Sequence, residues 1–235
     1  MMGVIRAIIA VFYSAFWCGF AVVYLMIFPK KKDYVLLKVG KKWWSTYMLR
    51  WIVGSKIEVF IPEETRELFE QGKGAVLMGN HSSYLDITAA FVATPAPIVF
   101  LAKDAIRKVP LLGGANARVG TVFVKRGDKK SAYESIAALV KTVSEGRCVL
   151  VFPEGTRSWD GEIKEFKKGG FHLATQAQVP IIPMRIEGAN EVLPKGKFFF
   201  KNRHPFKVSF GKPIVGDNVE ELRNLTRDIV VKLGS

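Results

Sequence analysis

The apolar positions of the first 53 residues fall into two patterns. Residues 7–28 carry no charge. Wound as a helix, at about 1.5 Å per residue, this stretch is long enough to cross the hydrocarbon core of a bilayer. Its aromatics Phe12, Phe16, Phe20, Tyr24 and Phe28 recur every four residues and form a stripe. Phe28-Pro29-Lys30-Lys31-Lys32-Asp33 then breaks the pattern. Residues 34–53 mix Lys38, Lys41, Lys42 and Arg50 with Trp43, Trp44, Tyr47 and Trp51. Tryptophans interleaved with lysines belong at a membrane interface. The first stretch is too long for a cleaved signal peptide and shows no convincing small-residue cleavage site. Two arrangements are open: helix 1 spans the bilayer, or it pairs with helix 2 in a hairpin that dips into one leaflet. If it spans, the lysine cluster favours a cytoplasmic position for the rest of the chain.

From residue 56 onward, short apolar runs alternate with longer helical patterns. The runs predict strands over 56–61, 74–79, 98–102, 121–124, 148–152, 181–186 and 206–210. The periodic stretches predict helices over 62–71, 84–94, 129–144, 169–178 and 219–233. Strands alternating with helices indicate an α/β sheet covered on both faces. The expected organisation is a membrane-anchoring helical module, residues 1–55, followed by one domain, residues 56–235. No internal repeat or low-complexity tract interrupts either part.

Charge sharpens the membrane reading. The 235 residues hold 35 basic and 21 acidic side chains, a net charge of +14. The excess is clustered. One cluster lies within residues 30–56. The other is Lys195-Gly196-Lys197-Phe198-Phe199-Phe200-Lys201-Asn202-Arg203, which contains no acid. Basic residues around aromatics suit an anionic lipid surface, at roughly 1 kcal/mol per residue near the headgroups. They would equally attract an acidic protein, and a plain solvated surface remains the bland alternative. Cys18 and Cys148 both lie in apolar runs, which suggests buried thiols and a reducing compartment rather than a disulfide framework.

Two segments carry the candidate chemistry. The first is Asn80-His81-Ser82-Ser83-Tyr84-Leu85-Asp86, placed between a predicted strand and a predicted helix. Residues five apart do not share a helix face, so His81 reaches Asp86 only if the chain turns between them. Asp86 would then fix the tautomer of His81, whose other nitrogen takes a proton from a hydroxyl. The competing reading is a helix N-terminal cap, Ser83-x-x-Asp86, with His81 a bystander. Both hold together if one carboxylate caps and orients. The second segment is Phe152-Pro153-Glu154-Gly155-Thr156-Arg157-Ser158, just past the carboxyl end of a predicted buried strand, where ligands bind in open α/β sheets. Arg157 offers two parallel hydrogen bonds to a phosphate, Glu154 an acceptor for a hydroxyl, and Gly155 room for close backbone approach. An ordinary turn with a surface Glu–Arg pair is the alternative.

Other chemistries lack their parts. There is no Gly-x-Ser-x-Gly nucleophile elbow, no Walker A loop and no His-Glu-x-x-His. Gly72-Lys73-Gly74 begins a dinucleotide fingerprint, but Leu77 stands where the third glycine belongs. His172 and His204 are isolated, and no metal site is expected.

Taken together, Asn-His-x-Ser-x-x-Asp followed by Phe-Pro-Glu-Gly-Thr-Arg-Ser resembles the PlsC-type glycerolipid acyltransferases, most closely those acting on 1-acylglycerol 3-phosphate. Val124-Lys125-Arg126-Gly127-Asp128 looks like the family's middle block, and Val179-Pro180-Ile181-Ile182-Pro183 like its last. The resemblance covers roughly residues 56–212. It implies a mixed, mostly parallel sheet of about seven strands. It implies that His81, oriented by Asp86, deprotonates the sn-2 hydroxyl of lysophosphatidic acid. That hydroxyl then attacks an acyl thioester of acyl carrier protein or coenzyme A, without an acyl-enzyme. It assigns glycerol-phosphate binding to Glu154, Gly155, Thr156 and Arg157, with Lys103, Lys125 and Arg126 as further phosphate ligands. No metal or redox cofactor is implied. The expected seat is the cell membrane, cytoplasmic side, held through Trp43, Trp44, Trp51, Lys41 and Lys42. Rival readings are an acyltransferase for glycerol 3-phosphate or another lysophospholipid, and a non-catalytic basic module on anionic membranes or nucleic acid, although no nucleic-acid partner is expected.

Overall fold

The computed structural model describes residues 1–125 and 129–234, with no side-chain description for 129–133. Its centre is a seven-stranded sheet in the order β1-β7-β6-β2-β5-β3-β4. The strands are β1 Ile57–Phe60, β2 Val76–Gly79, β3 Ile98–Lys103, β4 Val122–Val124, β5 Cys148–Val151, β6 Ile181–Glu187 and β7 Phe206–Phe210. Every neighbouring pair is parallel except β6 and β7. The mixed, mostly parallel sheet is therefore as expected. The central strands β2 and β5 are buried at every position, which explains why they read as unbroken apolar runs rather than alternating ones.

Helices cover the sheet: α1 Met2–Ile27, a short turn α2 Lys32–Tyr34, α3 Glu63–Glu70, α4 Leu85–Ala93, α5 Leu112–Val119, α6 Lys129–Ser144, α7 Gly169–Gln176, α8 Ala189–Val192 and α9 Val219–Lys232. The predicted second helix is present, but it winds as a π-helix over Val35–Thr46 and Met48–Val53. Helix α5 escapes the hydropathy pattern because Gly113 and Gly114 are poor helix formers. It forms through packing. The backbone of Gly113 lies so close to the preceding turn that a Cβ would sit 2.1 Å from the Arg107 carbonyl oxygen.

The amino-terminal helices do not stand apart from the sheet domain. α1 packs along α5 and the π-wound helix, which in turn packs on α4. Val35, Leu36, Val39, Met48, Leu49 and Val53 belong to one buried cluster with the strand residues, so the core is continuous across residue 55. α1 touches the domain at its start and again about two thirds of the way along. Gly3 O accepts from the Phe200 amide at 3.3 Å, and Gly19 lies 3.9 Å (from an added Cβ) from the Leu111 side chain. The other side of α1 exposes Ile5, Ile8, Val11, Phe12, Phe16, Val23 and Met26.

Candidate active site

The two sequence motifs meet because their strands are neighbours. β2 pairs in parallel with β5, Met78 opposite Val151, so the loops after them leave the same edge of the sheet side by side. The loop after β2 is fixed by Asn80. Its amide donates to Ile186 O at 2.9 Å and accepts from Ile186 N at 2.8 Å, locking the loop onto the end of β6.

The chain then turns so that His81 reaches Asp86. The His81 Nδ1 to Asp86 Oδ2 distance is 2.8 Å. An ionised carboxylate only accepts, so Nδ1 carries the proton and Nε2 is the basic nitrogen. Among the described residues no protein group hydrogen-bonds Nε2. The imidazole lies flat on Phe152, with ring centroids 4.0 Å apart and planes inclined by 12°. Asp86 Oδ2 also accepts from the Ser82 and Ser83 amides at 2.7 and 2.8 Å. One fully buried oxygen thus holds two loop amides and meets the imidazole. The helix itself starts from Tyr84 with no side-chain cap bond, so the Ser83 cap read from the sequence does not form. Ser83 Oγ donates to Leu193 O at 2.7 Å and accepts from the Leu85 amide, which commits that hydroxyl to structure.

The loop after β5 is knitted to the first. Gly155 adopts φ +71°, a left-handed conformation that favours glycine, and this turn swings Glu154 inward. Glu154 is 3% exposed. Its Oε1 accepts from the His81 amide at 2.6 Å, and its Oε2 from the Lys164 amide at 3.3 Å. The Ser158 amide donates to His81 O at 2.8 Å. Burial pushes the Glu154 carboxyl above its ordinary range, outweighing the two backbone donors. Both oxygens are therefore engaged by backbone, and Glu154 stands beneath the histidine loop rather than at the surface.

Above these carboxylates the site turns basic. The Arg157 guanidinium sits 3.6 Å over the Tyr84 ring. Lys195 donates to Arg157 O at 2.7 Å and to Thr156 Oγ1 at 3.4 Å, with its ammonium 4.5 Å over the Trp159 ring. Partial desolvation and the nearby charges of Lys164 and Arg157 push the Lys195 ammonium below its ordinary value. Three cations thus converge at one mouth. Nothing in the sequence marks Lys195 or Lys164 as site residues, although Lys195 opens the basic aromatic tract of residues 195–203. Phe152 and Tyr84 lie inside the recognised motifs, but nothing in the sequence marks their rings as platforms.

The remaining expected residues spread along the same edge. Lys103 ends β3, the neighbour of β5, and is exposed; Lys125 follows β4, one strand further. Arg126 lies outside the described residues. Of the interface residues, Trp43 and Trp51 are exposed, stacked on Trp17 and capped by Arg50 respectively. Lys42 lies over the Trp43 ring. Trp44 and Lys41 turn inward. Trp44 donates to Ser14 Oγ at 2.9 Å and packs edge-on against Phe91, while Lys41 donates to Thr94 O at 2.7 Å. Among the described residues no cluster of His, Cys, Asp and Glu is arranged to hold a metal.

The chain is similar to known proteins over most of its length. The family model described as Acyltransferase matches residues 58–187. The 1-acyl-sn-glycerol-3-phosphate acyltransferase of Salmonella typhimurium is 30% identical, covering 99% of this chain and 95% of that protein. The chloroplastic 1-acyl-sn-glycerol-3-phosphate acyltransferase of Brassica napus is 32% identical over 157 residues. That match takes in 67% of this chain but only 45% of the relative, so the chain spans about half the length of such chloroplast proteins. The crystal structure of the 1-acyl-sn-glycerophosphate acyltransferase PlsC from Thermotoga maritima shares the fold, with a TM-score of 0.81 at 24% identity over 99% of this chain and 95% of that one.

Proposed function

We propose that this chain, which belongs to the acyltransferase family, moves a fatty acyl group from a thioester to the sn-2 hydroxyl of 1-acylglycerol 3-phosphate, giving phosphatidic acid. The observation that carries the reading is the placement of His81, bonded to Asp86, and Arg157 on the loops of two adjacent parallel strands, with Lys195 of the loop after α8 joined to Arg157. His81 Nε2 takes the proton of the hydroxyl as its oxygen attacks the thioester carbonyl. The carbon–sulfur bond then breaks, and the departing thiolate takes the proton back from the imidazolium. Asp86 holds the imidazole in the required tautomer and stabilises its charged form. The acyl donor is a thioester of acyl carrier protein or coenzyme A, and the reaction needs no redox cofactor.

The acceptor's phosphate sits among Arg157, Lys195 and Lys164, with the Thr156 hydroxyl and the Gly155 turn beside it. Lys103 and Lys125 continue the basic edge along β3 and β4, and Arg126 is a further phosphate ligand by the resemblance alone. Glu154 acts by holding the His81 amide, and its role is positional.

The membrane seat follows from α1. Because it packs along α5 and the π-wound helix, α1 lies alongside the domain and sinks its exposed apolar face into one leaflet, with Trp43, Lys42 and Trp51 at headgroup level. The lysines of residues 30–42 favour the anionic cytoplasmic leaflet as that seat.

The direct test is acyl transfer from a radiolabelled thioester to lysophosphatidic acid, comparing the wild type with His81→Ala. Phosphatidic acid from the wild type alone supports reaction and base together. Equal product from both removes His81 from the mechanism. Glycerol 3-phosphate and larger-headgroup lysophospholipids, run in parallel, fix the acceptor.

A further inference from the structure

Phe198 is 88% exposed, more than any other aromatic side chain among the described residues, and Phe199 beside it is 40% exposed. They stand at the tip of the loop between α8 and β7, flanked by Lys195, Lys197, Lys201 and Arg203, with no acid from Pro194 to Pro205. Two neighbouring phenyl rings held in water are unfavourable unless something covers them. The third phenylalanine, Phe200, is buried and forms the foot of the loop. Its amide donates to Gly3 O, and the Arg6 guanidinium lies 5.6 Å over its ring. Arg203 packs against Gly54, at the end of the π-wound helix; a Cβ there would meet its Nε at 2.9 Å. On the opposite flank, a Cβ at Gly196 would run into the Trp159 ring at 2.8 Å, and Lys195 bonds Arg157 O. The loop therefore bridges the start of α1 and the mouth of the active site.

We propose that this loop is a second membrane-inserting element. Phe198 and Phe199 enter the acyl region of an anionic leaflet, while Lys197, Lys201 and Arg203 pair with headgroups. The occupant is a lipid surface because the loop is continuous with the amino-terminal end of α1, where Met1, Met2 and Ile5 are likewise exposed. Cations around exposed rings match anionic headgroups over acyl chains. The consequence is functional. A membrane-seated loop sets the Arg157–Lys195 cations at phosphate depth, so the acceptor's headgroup reaches them while its acyl chain stays in the leaflet.

This inference rests on the seating of α1 proposed above, and the test separates the two. A polarity-sensitive fluorophore is attached at Phe198→Cys, and separately at Phe12→Cys on α1, in a Cys18→Ala background; Cys148 is fully buried. Each labelled full-length protein is mixed with phosphatidylglycerol–phosphatidylethanolamine vesicles carrying a lipid-borne quencher. Quenching at both positions is expected. Quenching at 12 with a water-accessible label at 198 overturns the loop proposal and leaves the anchor standing. Quenching at neither overturns both. In parallel, Phe198→Ser/Phe199→Ser should raise KM for vesicle-borne acceptor about tenfold, with KM and kcat unchanged for detergent-dispersed acceptor. An increase confined to KM for an acyl-carrier-protein donor would instead make the loop a protein dock and overturn the proposal.

Discussion

Asp86→Asn isolates a single quantity, the charge beside the base. In the wild type one oxygen, Oδ2, accepts all three hydrogen bonds, from His81 Nδ1, Ser82 N and Ser83 N. The other oxygen, Oδ1, is buried without a partner. An asparagine that places its carbonyl where Oδ2 stands keeps the loop and the histidine tautomer, and puts its amide nitrogen in the position that already lacks a partner. One unpaired acceptor becomes an unpaired NH2 group with two donors, so the loss of stability should stay small beside that of Asp86→Ala. What disappears is the attraction between the carboxylate and the imidazolium formed during proton transfer. With charge centres about 4 Å apart and an effective dielectric constant of about 20, that attraction is about 4 kcal/mol. It corresponds to about three powers of ten in rate. Single-turnover transfer at saturating acceptor should therefore slow about a thousandfold while KM and Tm stay near wild type. A kcat within threefold of wild type, in a folded variant, would refute the electrostatic role. Asp86→Ala is the contrast. It leaves two buried amides without an acceptor, at about 1–3 kcal/mol each, so stability and rate should fall together.

Other predictions concern the supports of the site. Asn80→Asp removes the donor to Ile186 O and sets a carboxylate against that carbonyl, which should cost at least about 2 kcal/mol in urea unfolding; an unchanged midpoint would contradict the lock. Glu154 has its carboxyl raised by burial, so its ionisation works against the fold. Its stabilising contribution is complete below the unfolded pKa and is lost as pH rises through the folded one. The stability gap between wild type and Glu154→Gln should therefore shrink from pH 5 to pH 8, and a widening gap would reverse the assignment. Cys148 is fully buried, with its thiol pushed up to about 12, so iodoacetamide at pH 8 should leave it unmodified in the native protein, as read by peptide mass. Alkylation at the rate of a free thiol would mean that β5 opens.

The sequence revealed most where one short segment carries both the structure and the chemistry. Parallel strands buried on both faces wrote themselves as apolar runs, and both loop motifs followed such runs directly. Properties that depend on distant partners were less legible. Trp44 and Lys41 look like interface residues beside Trp43 and Lys42. Which face of their helix meets α4 is decided by Phe91 and Thr94, some fifty residues away. Lys195 joins Arg157 only because the loop after α8 returns across the site. Helix α5 has glycines where propensity asks for alanine, and only its contact with the Arg107 turn explains it.

Charge in the site is sorted by depth, and the sorting explains why the two motifs act as one. Both carboxylates lie inside, and each is tied to the backbone around His81: Asp86 to Ser82 and Ser83, Glu154 to His81 itself and to Lys164. The Ser158 amide closes the remaining side by bonding His81 O. The loop bearing the base is therefore gripped from below by residues of both motifs. The cations Arg157 and Lys195 lie above, resting on Tyr84 and Trp159, with no carboxylate bonded to either among the described residues. In the proposed reaction a phosphate drawn to that mouth would supply the missing anion, and the hydroxyl next to it would lie against the His81 ring nitrogen that has no partner among the described residues. On that reading the carboxylates keep the histidine still, and the cations decide which hydroxyl it meets.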